Sequence, residues 1–166
     1  MNTTRRLIAA DIENLLGSTP AHATAARWDS AVATLTETLA YEPTRDHLVV
    51  AVHPSWAFEV KTRIPTARLL VRTGESGADI ALCEELTDVT FIARRYGRVV
   101  VASGDHEFVS PVAALTEAGV PVTVASVALH ASPVLTAMAT DVLWLARPDV
   151  LVVDADPLAA LLVSAG

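Results

Sequence analysis

The chain has 166 residues, of which 52% are hydrophobic and 19% are charged, and its formal net charge is −7. This balance excludes an intrinsically disordered chain, and the length suits one domain with an aliphatic core. The acidic excess argues against a broad basic face for sequence-independent binding of nucleic acid. No apolar run reaches the roughly 20 residues that a membrane-spanning helix needs.

The N-terminal region has two arginines before an apolar stretch, but Asp11 and Glu13 interrupt that stretch too early for a secretory signal. The single cysteine, Cys83, cannot form an internal disulfide, which fits a reducing compartment and a small, buried thiol. We therefore expect a cytoplasmic protein without a membrane partner.

Apolar runs alternate with helical patterns along the chain. The first run, Leu7–Ala10, ends at Asp11, and a helical pattern covers Thr24–Ala40 with Thr24 as its N-cap. The later predicted elements are a strand at Leu48–Val52, a short helix at Ser55–Lys61, a strand at Arg68–Arg72, a helix at Asp79–Tyr96, a strand at Val99–Ala102, a helix through Phe108, Val112 and Leu115 that Gly119 closes, a strand at Val122–Val127 and a last strand at Val142–Leu145.

Short strands that are apolar on both faces are typical of a parallel sheet with helices on both sides. We therefore predict an α/β fold with three layers and a mostly parallel central sheet of five or six strands, formed by residues 1–147. Residues 148–166 form a C-terminal extension with patterns for an edge strand at 149–153 and an apolar helix at 157–163. We expect this extension to pack on the same domain; a contact in a homodimer is the alternative.

Acidic residues follow the predicted strands. Asp11 follows the first strand, Asp79 follows the third after a glycine-containing loop, and Asp105 and Glu107 follow the fourth, while His53 follows the second. In open parallel sheets, ligands bind beyond the carboxyl ends of the strands. Carboxylates gathered there repel one another, and a hard cation such as Mg²⁺ or Mn²⁺ removes that cost. One or two such ions would support phosphodiester hydrolysis by activating water and stabilising the leaving oxygen.

Other roles compete with metal binding at these positions. Carboxylates favour helix N-termini, so capping is an alternative for Asp79 and Glu107. Asp11 ends an apolar strand, where a buried carboxylate is costly unless it is paired or metal-bound. The absence of HExxH and CxxC spacings argues against zinc. We interpret as surface residues His22, His47 and His130. His106 is interpreted as a surface residue with a catalytic role as the alternative, and Asp141 as a cap or surface residue with a contact to the site as the alternative.

Several segments resemble the motifs of NYN domains, a branch of the PIN-like ribonuclease superfamily. In these motifs an aspartate ends the first strand and an asparagine follows, a second aspartate opens a helix, and a Ser-Gly-Asp block follows another strand. The resemblance covers about residues 6–146, and the matching positions are Asp11 and Asn14, Asp79, then Ser103, Gly104, Asp105 and Phe108, and finally Ser132, Leu135 and Asp141.

The resemblance implies a Rossmann-like, PIN-like domain and metal-dependent cleavage of RNA by an endoribonuclease. It implies that Asp11, Asp79 and Asp105 bind Mg²⁺ or Mn²⁺, one ion or two, and that Asn14 supports them. Glu107 stands where the family has an aspartate, and we expect it to complete the catalytic set.

A second departure from the family concerns substrate binding. Glu75 and Ser76 occupy positions where the family often has a lysine before the second aspartate. With a net charge of −7, RNA binding would rely on local arginines. The candidates are Arg5, Arg6, Arg63, Arg72, Arg94 and Arg95. For the last two of these, solvation of a helix end is the alternative. We assign substrate contacts to Ser103 and Arg72.

Two other functions stay open. The missing lysine, Glu107 and the acidic composition fit a catalytically weakened interaction module that binds a protein partner. A phosphohydrolase for small phosphate esters ranks last, because Asp11 is followed by Ile12 and Glu13 rather than by a second aspartate.

Overall fold

The structure, a computed structural model, describes residues 5–16 and 20–146. Its strands form one sheet in the order β3-β2-β1-β4-β5-β6, and every neighbouring pair is parallel. The predicted α/β fold with its mostly parallel sheet is confirmed, while the predicted C-terminal extension at 148–166 lies outside the described residues. The strands are β1 Arg6–Asp11, β2 Asp46–Val52, β3 Arg68–Val71, β4 Arg98–Ala102, β5 Val122–Ser126 and β6 Asp141–Trp144.

Helices connect these strands. The longest that the structure describes has 14 residues, and no helix in the described ranges is long and apolar enough to cross a membrane. The helices are α1 Ile12–Leu16, α2 Ala25–Thr38, α3 Ala57–Arg63, α4 Gly77–Glu85, α5 Val89–Arg95, α6 Val109–Glu117 and α7 Pro133–Met138.

The helix predicted at Asp79–Tyr96 is wrong in one respect, because the structure divides it into α4 and α5. Asp88 accepts a hydrogen bond from the Phe91 amide at 2.9 Å and so caps the start of α5. The apolar spacing continues across this break, so periodicity alone did not indicate it. Other local signals are confirmed: the Thr24 hydroxyl caps α2, and Gly119 after α6 has a positive φ of 79°.

The sheet separates two apolar layers. Alternate residues of each strand point to opposite faces, so Ile8 packs toward α1, α2 and α3 while Leu7 packs toward α4 to α7. Residues on both faces of β1, β2 and β4 are buried, which explains why these strands are continuous apolar runs.

The strand order alone indicates where a ligand would bind. The chain crosses from β1 to β2 on one side and later inserts β4 on the other side of β1. The connections after β1 and β4 therefore leave in opposite directions, which opens a crevice at their carboxyl ends. Asp11 is the last residue of β1, and Ser103, Gly104 and Asp105 follow β4 directly.

Candidate metal centre at the carboxyl edge of the sheet

An open cleft of about 210 Å³ lies at this crevice. Five of its lining residues are acidic, and one is an arginine. The cleft therefore has the negative potential of a cation site rather than that of a site for a free anion. The lining residues are Asp11, Glu13, Asn14, His53, Arg72, Gly74, Glu75, Ala78, Asp79 and Asp105.

Asp11 forms the floor of the cleft and is only 5% exposed. Burial, followed by the negative charge of Asp79, raises the pKa of its carboxyl group to about 7. A hydrogen bond of 3.1 Å from the Asn14 amide to Asp11 Oδ1 opposes this rise, and the charge of Glu13 adds to it. The protein thus holds a carboxylate where its ionised form is poorly solvated, as the sequence position predicted.

Asp79 lies in the first turn of α4, facing Asp11. Burial and then the charges of Asp105 and Glu107 raise the pKa of its carboxyl group. Its Oδ1 atom is buried and receives no hydrogen bond from the residues that the structure describes. Helix capping therefore does not account for this oxygen. Asp79 also shares a hydrogen bond with the facing Asp11 carboxyl group, which lowers the pKa of Asp79, so the two carboxyl groups need either a shared proton or a cation between them.

The loop after β4 brings Asp105 to the cleft. Asp105 Oδ1 accepts a hydrogen bond from the Glu107 amide at 3.0 Å and so caps a short 3₁₀ turn at His106–Phe108. Gly104 is required here, because a Cβ atom would lie 2.4 Å from both the His130 carbonyl oxygen and Ser126 Oγ. The tight approach of the backbone fixes the direction in which Asp105 leaves the sheet.

Ser103, expected to contact substrate, is instead completely buried. Its hydroxyl donates to Asp11 Oδ2 at 3.4 Å and accepts from the Asp105 amide at 3.2 Å. It lies beneath the carboxylates and links Asp11 to the backbone of Asp105.

Asn14 connects the two halves of the site. Its side-chain oxygen accepts a hydrogen bond from the Gly104 backbone amide at 3.3 Å, while the backbone amide of Asn14 donates to Asp11. The start of α1 and the loop after β4 are therefore held together across the crevice. The supporting role that the resemblance implied for Asn14 stays a prediction.

Two other predicted residues occupy the periphery. The Glu107 side chain is exposed and lines a neighbouring depression with Cys83 rather than the cleft, so its part in the catalytic set stays a prediction. Arg72 lines the cleft, but its guanidinium also pairs with Glu84 at 2.8 Å. Cys83 is half-buried, and burial raises the pKa of its thiol to about 11.

The site residues assigned from the sequence left out two acidic residues of the cleft, Glu13 and Glu75. Glu13 Oε1 accepts a hydrogen bond from the His53 amide at 2.9 Å, which ties the start of α1 to the end of β2. Its position two residues after Asp11 was the available signal. Glu75 lines the rim where a lysine was expected, so it adds negative charge where a phosphate contact would help.

The oxygen atoms of these residues are suitable ligands for a hard divalent cation, but the side chains are not arranged as a coordination shell. Within the described ranges, no three His, Cys, Asp or Glu side chains already stand in the arrangement of a metal site. The facing carboxyl groups of Asp11 and Asp79 and the nearby Asp105 nevertheless supply the oxygen ligands that Mg²⁺ and Mn²⁺ prefer.

Comparison with solved structures gives a similar fold. A protein of unknown function, VPA0982 from Vibrio parahaemolyticus RIMD 2210633, superposes with a TM-score of 0.61 at 15% sequence identity, over 89% of this chain and 96% of that one. At this identity the similarity shows the fold alone. Comparison with curated proteins gives no significant match.

Comparison with family models gives a match to the NYN domain over residues 55–146. The matched segment contains Asp79 and Asp105, whereas Asp11 and Asn14 precede it and reach the same cleft through the fold. Because the match covers more than half of the chain, this protein belongs to the NYN domain family, within the PIN-like ribonuclease superfamily.

Proposed function

We propose that this protein is a metal-dependent endoribonuclease in which Asp11, Asp79 and Asp105 hold one or two Mg²⁺ or Mn²⁺ ions. The observation that carries the proposal is the buried Asp79 Oδ1, which receives no hydrogen bond within the described chain and faces the buried Asp11 carboxyl group. Membership of a family within a ribonuclease superfamily supports RNA as the substrate.

The chain's own residues would prepare the site for this chemistry. Ser103 and Asn14 fix the Asp11 carboxylate, and the loop capped by Asp105 is fixed to α1 through Gly104. When bound, the cation would supply Lewis-acid activation of a water and charge stabilisation of the phosphodiester. Arg72 at the rim would contact a phosphate in place of Glu84, its present ion-pair partner, since an exposed ion pair is weak.

Cleavage of labelled RNA tests the proposal. A mixed set of single-stranded and structured RNAs is incubated with Mn²⁺, with Mg²⁺ and with chelator, using the parent protein and Asp105→Asn. We expect metal-dependent cleavage that Asp105→Asn lowers by at least about 100-fold, because losing a ligand costs more than losing a residue that merely orients one. Glu117→Gln is the matched control, since Glu117 is exposed at the end of α6, away from the cleft.

Each other outcome points elsewhere. Cleavage that persists in chelator or in Asp105→Asn would contradict the proposal. A folded protein that cuts no RNA would favour the interaction module, and turnover of a small phosphate ester without RNA cleavage would favour a phosphohydrolase.

A further inference from the structure

Arginines collect at the edge of the sheet opposite the acidic cleft. Because the strands are parallel, all of them begin at this amino edge, and α5 ends there immediately before β4. Seven of the eleven arginines in the sequence lie at this edge, at or next to the start of a strand or at the end of α5, despite the net charge of −7. They are Arg5, Arg6, Arg45, Arg68, Arg94, Arg95 and Arg98.

Among the residues that the structure describes, four of these arginines have an acidic partner and three have none. Within the described chain, each of the four forms an ion pair, and their partners are Asp46 for Arg6, Glu42 and Asp46 for Arg45, Glu85 for Arg68 and Asp141 for Arg98. Arg5, Arg94 and Arg95 are exposed and form no ion pair with any residue in the described ranges. Within residues 5–16 and 20–146, the amino edge therefore carries positive charge that no ion pair offsets.

Aromatic rings lie beside this charge. The Arg95 guanidinium is 5.8 Å from the centre of the Phe91 ring and 6.0 Å from that of Tyr96. Phe91 is 52% exposed, so much of this large apolar side chain faces solvent. An exposed ring next to a guanidinium that has no ion pair in the described part of the chain offers stacking for a base and a charge for its phosphate.

His47 shows that the guanidinium groups converge. The surface position expected for it is wrong: the ring is half-buried, and its Nδ1 atom lies 2.6 Å from the Tyr96 hydroxyl. Burial, followed by the charges of Arg5 and Arg68, lowers the pKa of His47; the charge of Glu85 opposes this effect, and Arg95 contributes to it more weakly. The arginines thus act on one point from three different segments of the chain.

We propose that Arg5, Arg94, Arg95 and Phe91 form a second binding site, which takes single-stranded RNA through its phosphates and one unstacked base. Single-stranded sites combine positive charge with aromatic platforms, whereas an acidic protein segment would leave the exposed Phe91 ring unused. Binding here needs neither metal nor cleavage, so the site goes beyond the proposed nuclease function. It would retain a long RNA whose approach to the metal-free cleft is opposed by five carboxylates.

Fluorescence anisotropy of a labelled single-stranded oligoribonucleotide in EDTA tests this site by itself. We expect binding whose log affinity falls with log salt at a slope of about −2, since single strands give about −0.7 for each neutralised phosphate. Arg95→Glu should weaken binding and reduce the magnitude of this slope by about 0.7, because it removes one phosphate contact. Phe91→Ala should weaken binding by roughly tenfold with little change in slope, because it removes stacking and no charge.

Lys61→Glu is the matched control. It changes the net charge as Arg95→Glu does, but Lys61 lies on α3, on the opposite face of the sheet, where its ammonium donates to the Ala67 carbonyl at 2.8 Å. A circular dichroism melt confirms that each variant is folded. As a local readout, RNA should shift the His47 ring signals in nuclear magnetic resonance spectra, and Arg95→Glu should reduce that shift.

Absence of binding at low salt would overturn the site, and so would equal weakening by Lys61→Glu and Arg95→Glu. Competition by poly-glutamate as strong as that by unlabelled RNA would overturn the assignment to RNA. Because every step is in EDTA, the result stands apart from the cleavage assay, and either proposal can fail without the other.

Discussion

Burial of Asp11 disfavours its ionised carboxylate, which is the form that a metal ion would bind. The pKa of its carboxyl group is about 7 in the folded protein, against an ordinary value of 3.8. Between these values the native state binds more protons than the unfolded chain, so the free energy of unfolding falls as the pH rises. Metal-free protein should therefore lose stability from about pH 4 to about pH 7 on account of this group.

Asp11→Asn should remove that loss, because an amide does not ionise. Above about pH 7, we expect the variant to be more stable than the parent in EDTA, by up to about 4 kcal/mol. Urea denaturation at about pH 5 and about pH 8 measures the difference. Glu117→Gln, which changes an exposed carboxylate, should leave the free energy of unfolding unchanged. An Asp11→Asn protein no more stable than the parent at the higher pH would contradict this account.

The site leaves no room for a side chain at Gly104. Gly104→Ala would force a Cβ atom against the His130 carbonyl oxygen and Ser126 Oγ, and we expect a loss of about 1–3 kcal/mol or more. At Gly74 a Cβ atom meets nothing within 4 Å, so Gly74→Ala should cost only about 1 kcal/mol, from its φ of 108°. Thermal denaturation compares the two, and equal losses would show that the crowding at Gly104 is relieved cheaply.

The metal-ligand candidates were predictable because position after a strand depends only on chain order. Asp11, Asp79 and Asp105 each follow a recognisable apolar run, and parallel strands end at one edge. The burial of Ser103 and the entry of Glu75 into the rim were not predictable. Both depend on the path of a loop in three dimensions, for which the sequence carries no periodic signal.

At the scale of elements, the strands were easier to predict than the helix boundaries. Burial on both faces makes β1, β2 and β4 continuous apolar runs that local sequence reveals. The five residues of α1 are too few for a helical period to repeat, so this helix was not predicted. The division between α4 and α5 depends on a cap rather than on apolar spacing.

That cap can be tested at Asp88. Asp88→Ala removes the acceptor for the Phe91 amide and should destabilise the protein by about 1 kcal/mol, whereas Asp88→Ser keeps an acceptor and should retain most of the stability. Urea denaturation of both variants gives the comparison. Equal stability of Asp88→Ala and the parent would show that α5 is held by packing alone.

For the whole molecule, the net charge of −7 conceals a segregation of charge. The carboxyl edge carries the acidic cleft, and the amino edge carries three arginines that form no ion pair with a described residue. The acidic composition argued against a broad basic face, but it did not exclude a compact one. A count of charges lacks this information, because the direction of the strands decides which residues meet at each edge.

The central claim is that the carboxyl edge binds a divalent cation, and a calorimetric titration with Mn²⁺ tests it most directly. The account predicts saturable binding by the parent protein, loss of that binding in Asp79→Asn, and unchanged binding in Glu117→Gln. It also predicts that Mn²⁺ raises the melting temperature of the parent but not of Asp79→Asn. Absence of binding, or equal binding by the parent and Asp79→Asn, would contradict the metal centre and favour a non-catalytic interaction module.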